Sequence, residues 1–213
     1  MAQRPPKPVT APPLPETLTV AQRERRERII EAGLALLRNQ DHTQIQMRDV
    51  AERADVALGT VYRYFQSKDH LFAEVLASWA RRLRTNVERH PLRGETNVAR
   101  LTDVLHRSVR AFQVWPQLAR VVMALESSAD PFTQEIFARN NGENRAIYAE
   151  ALVDLPPEVA DQVVRIAGAV LDLQLRQWVV GHHSIAEVYD RLDRAIRVVL
   201  LFREDDAPEL FEV

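Results

Sequence analysis

The chain has 213 residues, 46% of them hydrophobic and 27% charged, and a formal net charge of -2; that composition fits a globular chain with its own core, in one or two domains. It contains no cysteine, which excludes disulfides, thiolate metal sites and cysteine nucleophiles. No apolar run approaches the roughly 18–20 residues of a membrane span.

The N-terminus lacks the apolar segment of a signal peptide, so a cytoplasmic location is expected. Charge is unevenly spread. Residues 1–68 hold 11 Lys/Arg against 8 Asp/Glu, and the remainder holds 17 against 22. A basic excess confined to the N-terminal third is the asymmetry expected if that third alone meets an anionic partner.

Residues 1–19 contain six of the 12 prolines and no apolar periodicity, and are expected to form a disordered arm. The stretch "AQRERRERIIEAGLALLRNQ" places Ile29, Ala32, Gly33, Leu36 and Leu37 at helical spacing. Its arginine-rich start opposes the helix macrodipole, and either meets a compensating partner or stays a solvated charged end that Glu24 and Glu27 partly offset. A second, short helix fits Met47–Ala54, "DV" at 55–56 is a turn, and a third helix fits Leu58–Phe65. Ser67 then caps a long helix, with Phe72, Leu76, Trp79 and Leu83 on one stripe. Further helical patterns lie near 96–114, 117–128, 132–153, 158–180 and 185–202, punctuated by prolines and Gly94. No two-residue alternation is sustained. The expected fold is all-α with about nine helices: an N-terminal three-helix domain over 20–67, a helical domain over 68–203, and an acidic tail over 204–213.

Helix, short helix, tight turn, short helix is the layout of a helix-turn-helix DNA reader. The third helix starts with slim residues (Ala57, Leu58, Gly59 and Thr60), which suits close approach to base edges. Tyr62 and Tyr64 offer hydroxyls for phosphate oxygens. Arg63 can reach a phosphate or a guanine edge, and Lys68 sits where the next helix begins, suited to a phosphate. No acid occurs between Val56 and Lys68, as expected of a segment that faces phosphate.

The segment "IQMRDVAERADVALGTVYRYFQSKDHLFAEVL" resembles the DNA-binding segment of TetR-family transcriptional regulators. The resemblance spans about Arg25 to Leu76, with the apolar positions, Gly-Thr, Tyr-x-x-Phe and the following lysine in register. It implies a homodimer that binds a double-stranded DNA operator, a regulatory domain with a small-molecule pocket, and pairing of the last two long helices across the dimer. Carried over by position, the DNA contacts fall on Gln46, Met47 and Arg48, on Leu58, Gly59, Thr60, Tyr62, Arg63 and Tyr64, and on Lys68. Met47 departs from the small hydroxyl residue common at its position. "AQRERRERI", "QMRDVAERADVALGTVYRYF" and "RLDRAIRVVL" are also similar to the actinobacterial sterol-catabolism repressors. That narrower resemblance implies a steroid or fatty acyl-CoA-derived effector.

In the regulatory part, Phe112, Trp115, Met123, Phe132, Phe137, Tyr148 and Trp178 are candidates for an apolar cavity between helices, with plain core packing as the alternative for each. His106, Arg107, Asp172, Gln174 and Arg176 can supply polar anchors there, at the dimer seam, or on a solvated face. Arg120 and Arg139 can meet a ligand anion or lie on the surface. The adjacent His182 and His183 lack a third ligand at a suitable spacing, so no metal and no cofactor is expected. No catalytic constellation is present: there is no nucleophile elbow, P-loop, dinucleotide fingerprint or zinc-protease helix. The expectation is a non-enzymatic, ligand-responsive DNA-binding regulator, most simply a repressor released from a palindromic operator by a small hydrophobic or acyl-CoA-type effector. The alternatives are an activator of the same architecture, or a helical small-molecule binder with a vestigial head.

Overall fold

The computed structural model describes residues 12, 13 and 15–201. The expected acidic tail and most of the expected arm lie outside the described residues. Regular structure among those described is helical throughout, with nine α-helices and two 3₁₀ turns, as the sequence patterning implies. The chain divides into two compact units, Met1–Val75 and Leu76–Val213.

In the first unit, a 3₁₀ turn at Pro15–Thr17 leads into α1 (Val20–Leu36). The arm expected over 1–19 is therefore too long at its C-terminal end. Leu18 is buried, and Thr19 and Gln22 form a reciprocal capping box that satisfies two otherwise orphaned N–H groups. Helices α2 (Met47–Arg53) and α3 (Leu58–Tyr64) follow. Between them Asp55 takes a φ of 53°, in the left-handed region that Asp tolerates better than most residues. The Val56 N–H reaches back to the Ala51 carbonyl (3.0 Å) and closes α2 with a left-handed cap. Ile29, Ile30, Leu37, Ile45, Val61 and Phe65 are fully buried and fix the three helices.

The fourth helix, α4 (Lys68–Arg89), has its first two turns in this unit, which moves the boundary beyond the expected 67/68. Phe72 packs edge-on to the His42 ring. A methyl of Val75 lies 3.0 Å from where a Cβ on Gly33 would sit, so α1 and α4 come close together at that glycine. Glu74 and Arg26 are both buried and form a 2.5 Å ion pair, with the guanidinium 5.2 Å from the Phe65 ring centre. One arginine of the unfavourably basic α1 start thus finds its partner inside the protein. Such a pair adds little over an apolar isostere, but losing one member strands a buried charge.

The second unit holds the rest of α4, then α5 (Asn97–Val114), α6 (Pro116–Glu126), α7 (Pro131–Ala149), a 3₁₀ turn (Glu150–Leu152), α8 (Pro157–Val179) and α9 (Ile185–Leu201). Pro116, Pro131 and Pro157 stand at helix starts, where a missing N–H costs nothing. The single helix expected over 132–153 tightens into the 3₁₀ turn at its end, ahead of the Pro156-Pro157 break. The core gathers Leu101, Leu105 and Val109 of α5, Leu171 and Leu175 of α8, and Leu192 and Ile196 of α9.

Candidate DNA-binding face and ligand cavity

The first unit exposes a face made by the start of α2 and by α3. The Gln46 N–H donates to Asp49 Oδ2 (2.7 Å), which fixes the entry into α2. Gln46 and Arg48 are exposed, and Arg48 only approaches Asp49, at 3.7 Å. On α3, Leu58, Gly59, Tyr62 and Arg63 are exposed and Thr60 is half-buried. Around Gly59 nothing lies within 4 Å of an added Cβ, and its φ is not positive. A helical glycine costs about 1 kcal/mol relative to alanine, yet no packing or turn within the protomer requires this one.

Three expected positions come out differently. The structure turns Tyr64 inward: it is 3% exposed, and its buried hydroxyl has no hydrogen-bond partner. Its ring instead supports the Arg63 guanidinium at 5.2 Å. The helical period explains the error, because Tyr64 follows Val61 by three residues on the inward stripe. Met47 is also buried, so its side chain belongs to the core. Lys68 is half-buried, and its Nζ donates to the Thr43 carbonyl (3.1 Å). Burial lowers its pKa, while Asp69, Asp41 and Asp49 oppose that shift. Beside its sequence neighbour Asp69, the fold thus brings two further acids, Asp41 and Asp49, towards Lys68.

The second unit contains a cavity of about 380 Å³ walled by α4, α5, α6, α7 and α8. Of the seven expected residues, Phe112, Phe137 and Tyr148 line it. Met123 lines a small adjoining void. The others lie elsewhere: Trp115 caps the start of α6, Phe132 is held by the Asp130 cap of α7, and Trp178 packs on the core. The sequence reading missed Leu76, Trp79 and Leu83, which it took for an ordinary helix stripe. It also missed the polar wall of Asn140, Asn141 and Asn144. The run "NNGEN" was the available signal, because such residues are poor in a helix interior unless something there uses them.

Arg84 of α4 is the hub of that wall. Its Nη1 donates to Asn140 Oδ1 and Asn144 Oδ1, each at 3.0 Å, and its Nη2 pairs with Glu143. One turn beyond Asn144 on the same helix, the Tyr148 hydroxyl and Ser108 Oγ are 3.0 Å apart, and burial pushes the Tyr148 pKa up. Asp172 lies on both the cavity and the void. Burial, and then the charge of Glu126, raise its pKa to about 6 against the opposing effect of Arg176.

None of the other candidate anchors lines the cavity itself, although Arg176 lines the adjoining void. His106 bonds Asp193 (2.6 Å). Arg107 holds the His90 and Pro91 carbonyls and Asp103. Gln174 meets His183 (3.1 Å), and Arg176 pairs with Glu126. Arg120 bonds the Val179 carbonyl (3.2 Å), and Arg139 is exposed. His182 bonds Gln177 (2.8 Å), and among the described residues no group of three potential metal ligands converges. None of the described helices is long and apolar enough to cross a membrane.

Residues 29–75 match the family model described as bacterial regulatory proteins, tetR family. The chain is 35% identical over 191 residues to the HTH-type transcriptional repressor KstR of Mycolicibacterium smegmatis, covering 89% of this chain and 93% of that one. It is 33% identical to the repressor KstR of Mycobacterium tuberculosis, covering 84% and 82%. A crystal structure of a TetR transcriptional regulator from Rhodococcus sp. RHA1 superposes with a TM-score of 0.76 at 26% identity, covering 85% of this chain and 98% of that one.

Proposed function

Because the chain belongs to the tetR family of bacterial regulatory proteins, which are DNA-binding and non-enzymatic, we propose that it is a dimeric transcriptional repressor, acting in the cytoplasm and released from its operator by a small-molecule effector. Gly59 carries the DNA-binding part of this reading. A glycine that is unfavourable in its helix and unneeded inside the protomer has its use in a partner that comes close. Gln46, Arg48, Leu58, Thr60, Tyr62 and Arg63 surround it as the contact set. Lys68 adds charge at the edge, and the Thr43 carbonyl competes for its ammonium. Repression, rather than activation, is supported by the repressor relatives that span most of the chain.

Dimerisation through α8 and α9 is supported by an exposed apolar stripe. Val159, Ile166 and Leu173 recur every seven residues on α8 and Val180 continues the spacing at its C-cap, all between 39% and 51% exposed, and Val198 and Leu201 are exposed on α9. Such a seam on paired helices suits a second copy of itself. Two α3 helices would then enter successive major grooves about 34–36 Å apart, on an imperfect palindrome.

The cavity is the effector site in this reading. Its largely apolar lining suits a small hydrophobic compound, and Arg145 and Arg165 on the lining can meet an anionic extension such as an acyl-CoA-type effector, steroid or fatty acyl, would carry. To shift an equilibrium from 1:99 to 99:1, the effector must prefer the released state by about 5.5 kcal/mol. Arg84 is the coupling residue: it lies on α4, the helix that begins at Lys68, and it holds two asparagines that line the cavity.

The test is a footprint on the DNA upstream of the chain's own gene, together with light scattering of Leu173→Glu. A two-half-site footprint, and a monomeric variant that loses it, are expected. A single protected half-site bound by a monomeric wild type would reject the dimer reading.

A further inference from the structure

Asn140 and Asn144 stand one turn apart on α7, and both line the cavity. Arg84 Nη1 donates to the side-chain oxygen of each, at 3.0 Å. A guanidinium can only donate, so these contacts fix which end of each carboxamide faces it. The oxygens are turned to Arg84, and the amide N–H groups are turned away from it. Arg84 is itself locked: its side chain is 11% exposed, and Glu143 takes its other terminal nitrogen.

The N–H groups are left as spare donors. Neither Asn140 Nδ2 nor Asn144 Nδ2 meets an acceptor among the described residues, and neither is sealed in. Asn140 is 6% exposed and lines the cavity, so the cavity is where its amide meets open space. Other polar groups of the lining differ. Ser108 is also buried, but its hydroxyl is engaged by the Tyr148 hydroxyl (3.0 Å) and the Val104 carbonyl (3.3 Å). Asn141, Arg145, Arg165 and Asp172 are exposed, and water satisfies them cheaply. Gripping a guanidinium does not itself call for an amide, because a carboxylate holds one more strongly. What a carboxamide has and a carboxylate lacks is N–H. Glu143 balances the Arg84 charge, so this wall offers donors to a carbonyl dipole, which costs less to bury than an ion. Elsewhere on the lining, the Trp79 and Phe112 ring centres lie 4.9 Å apart and, with Phe137, offer faces for an apolar body.

Resting on the reading of the cavity as the effector site, we propose that the effector carries a carbonyl oxygen on an apolar body, and that the Asn140 amide, oriented by Arg84, donates to that oxygen. The apolar body lies against Trp79, Phe112 and Phe137. Asn140 is then a specificity residue of the site, and Arg84 is a positioning residue that sets its polarity.

The test is equilibrium dialysis of the full chain against two probes of one shape: 4-acetylbiphenyl, which has the carbonyl, and 4-isopropenylbiphenyl, in which a methylene replaces the oxygen. Wild type is compared with Asn140→Asp, Asn140→Leu and the cavity-filling Gly168→Leu, where an added Cβ meets nothing within 4 Å. Asn140→Asp keeps an oxygen for Arg84 and deletes the donor, whereas Asn140→Leu deletes both. The readout is the ratio of ketone to alkene affinity, which a merely structural role would not move. Both Asn140 variants should lower that ratio by roughly 10-fold, and Gly168→Leu should weaken both probes. The infrared carbonyl stretch of isotopically labelled 4-acetylbiphenyl gives a second reading that needs no variant. Bound to the wild type it should lie below its frequency in an apolar solvent; a stretch at the apolar-solvent frequency would overturn the proposal even if the Asn140 variants fail to fold. A ratio lowered by Asn140→Asp alone would trace to the new charge, and the proposal falls. If neither Asn140 variant moves the ratio while Gly168→Leu still blocks the probes, Asn140 only holds Arg84, and the cavity stands as a ligand site without the proposal. If neither probe binds the wild type, or Gly168→Leu weakens neither, the cavity reading falls and the proposal falls with it.

Discussion

Gly59 and Gly168 are alike chemically and opposite in setting. Each sits inside a helix with nothing near a Cβ added to it. Gly59 is on an outward face built from contiguous sequence, whereas Gly168 is on an inward wall assembled from five helices. Openness alone does not mark a partner, because Gly142 inside α7 is equally open and is not among the residues that line the cavity. On the proposed reading, Gly59 faces DNA and Gly168 faces the effector cavity.

The largest expected effect is on the framework that holds the outward face. Arg26→Met should destabilise the first unit by about 3–5 kcal/mol, because Glu74 is left buried and unpaired. Arg26→Met/Glu74→Leu should recover most of that loss. Thermal unfolding checks both, and a double variant no better than the single one would show that the pair contributes more than mutual compensation. Next, Arg48→Ala should relax discrimination at one base pair of each half-site by about 1–3 kcal/mol. A panel of operator variants reads this, and a uniform loss across the panel would reassign Arg48 to backbone positioning.

The two glycines give the sharpest contrast. Gly59→Ala and Gly168→Ala should each stabilise the fold by up to about 1 kcal/mol through helix propensity. Gly59→Ala should do so while weakening operator binding, and Gly168→Ala without that loss. A Gly59→Ala variant that binds operator as well as the wild type would show that close approach of DNA does not require that glycine.

The smallest effect is on stability against pH. The Asp172 pKa is raised in the fold, so the folded state holds that proton more tightly than the unfolded chain does. Its contribution therefore favours the fold below the ordinary carboxylate range and is lost as pH rises through about 6. Solvent access at the mouth limits the size. Asp172→Asn should slightly raise the melting temperature at pH 7.5 relative to the wild type and lose that advantage at pH 4.

Legibility in the sequence followed the same division. The proposed DNA face lies within residues 46–68, a contiguous stretch in which helical period and residue type indicate most of the exposed positions. They do not show the burial of Tyr64, nor the contact of Lys68 with Thr43 and Asp41, because both depend on what packs from elsewhere. The cavity residues are spread over nearly a hundred positions. Aromatic content alone found Phe112, Phe137 and Tyr148. It could not separate them from Trp178, which packs on the same core as Phe112 and Tyr148 but is not among the residues that line the cavity. The arginine-rich α1 start was legible as a problem, while its solution at Glu74 was not, because nothing local links position 26 to position 74.

Whether the face around Gly59 reads DNA is decided by binding of the purified chain to the DNA upstream of its own gene at two salt concentrations. Scrambled DNA and the Gly59→Ala variant serve as comparisons. A DNA-reading face predicts tight binding that discriminates against the scramble, weakens with salt as phosphate contacts release counterions, and is reduced in Gly59→Ala. Binding that is insensitive to salt, blind to sequence and indifferent to Gly59→Ala would contradict it.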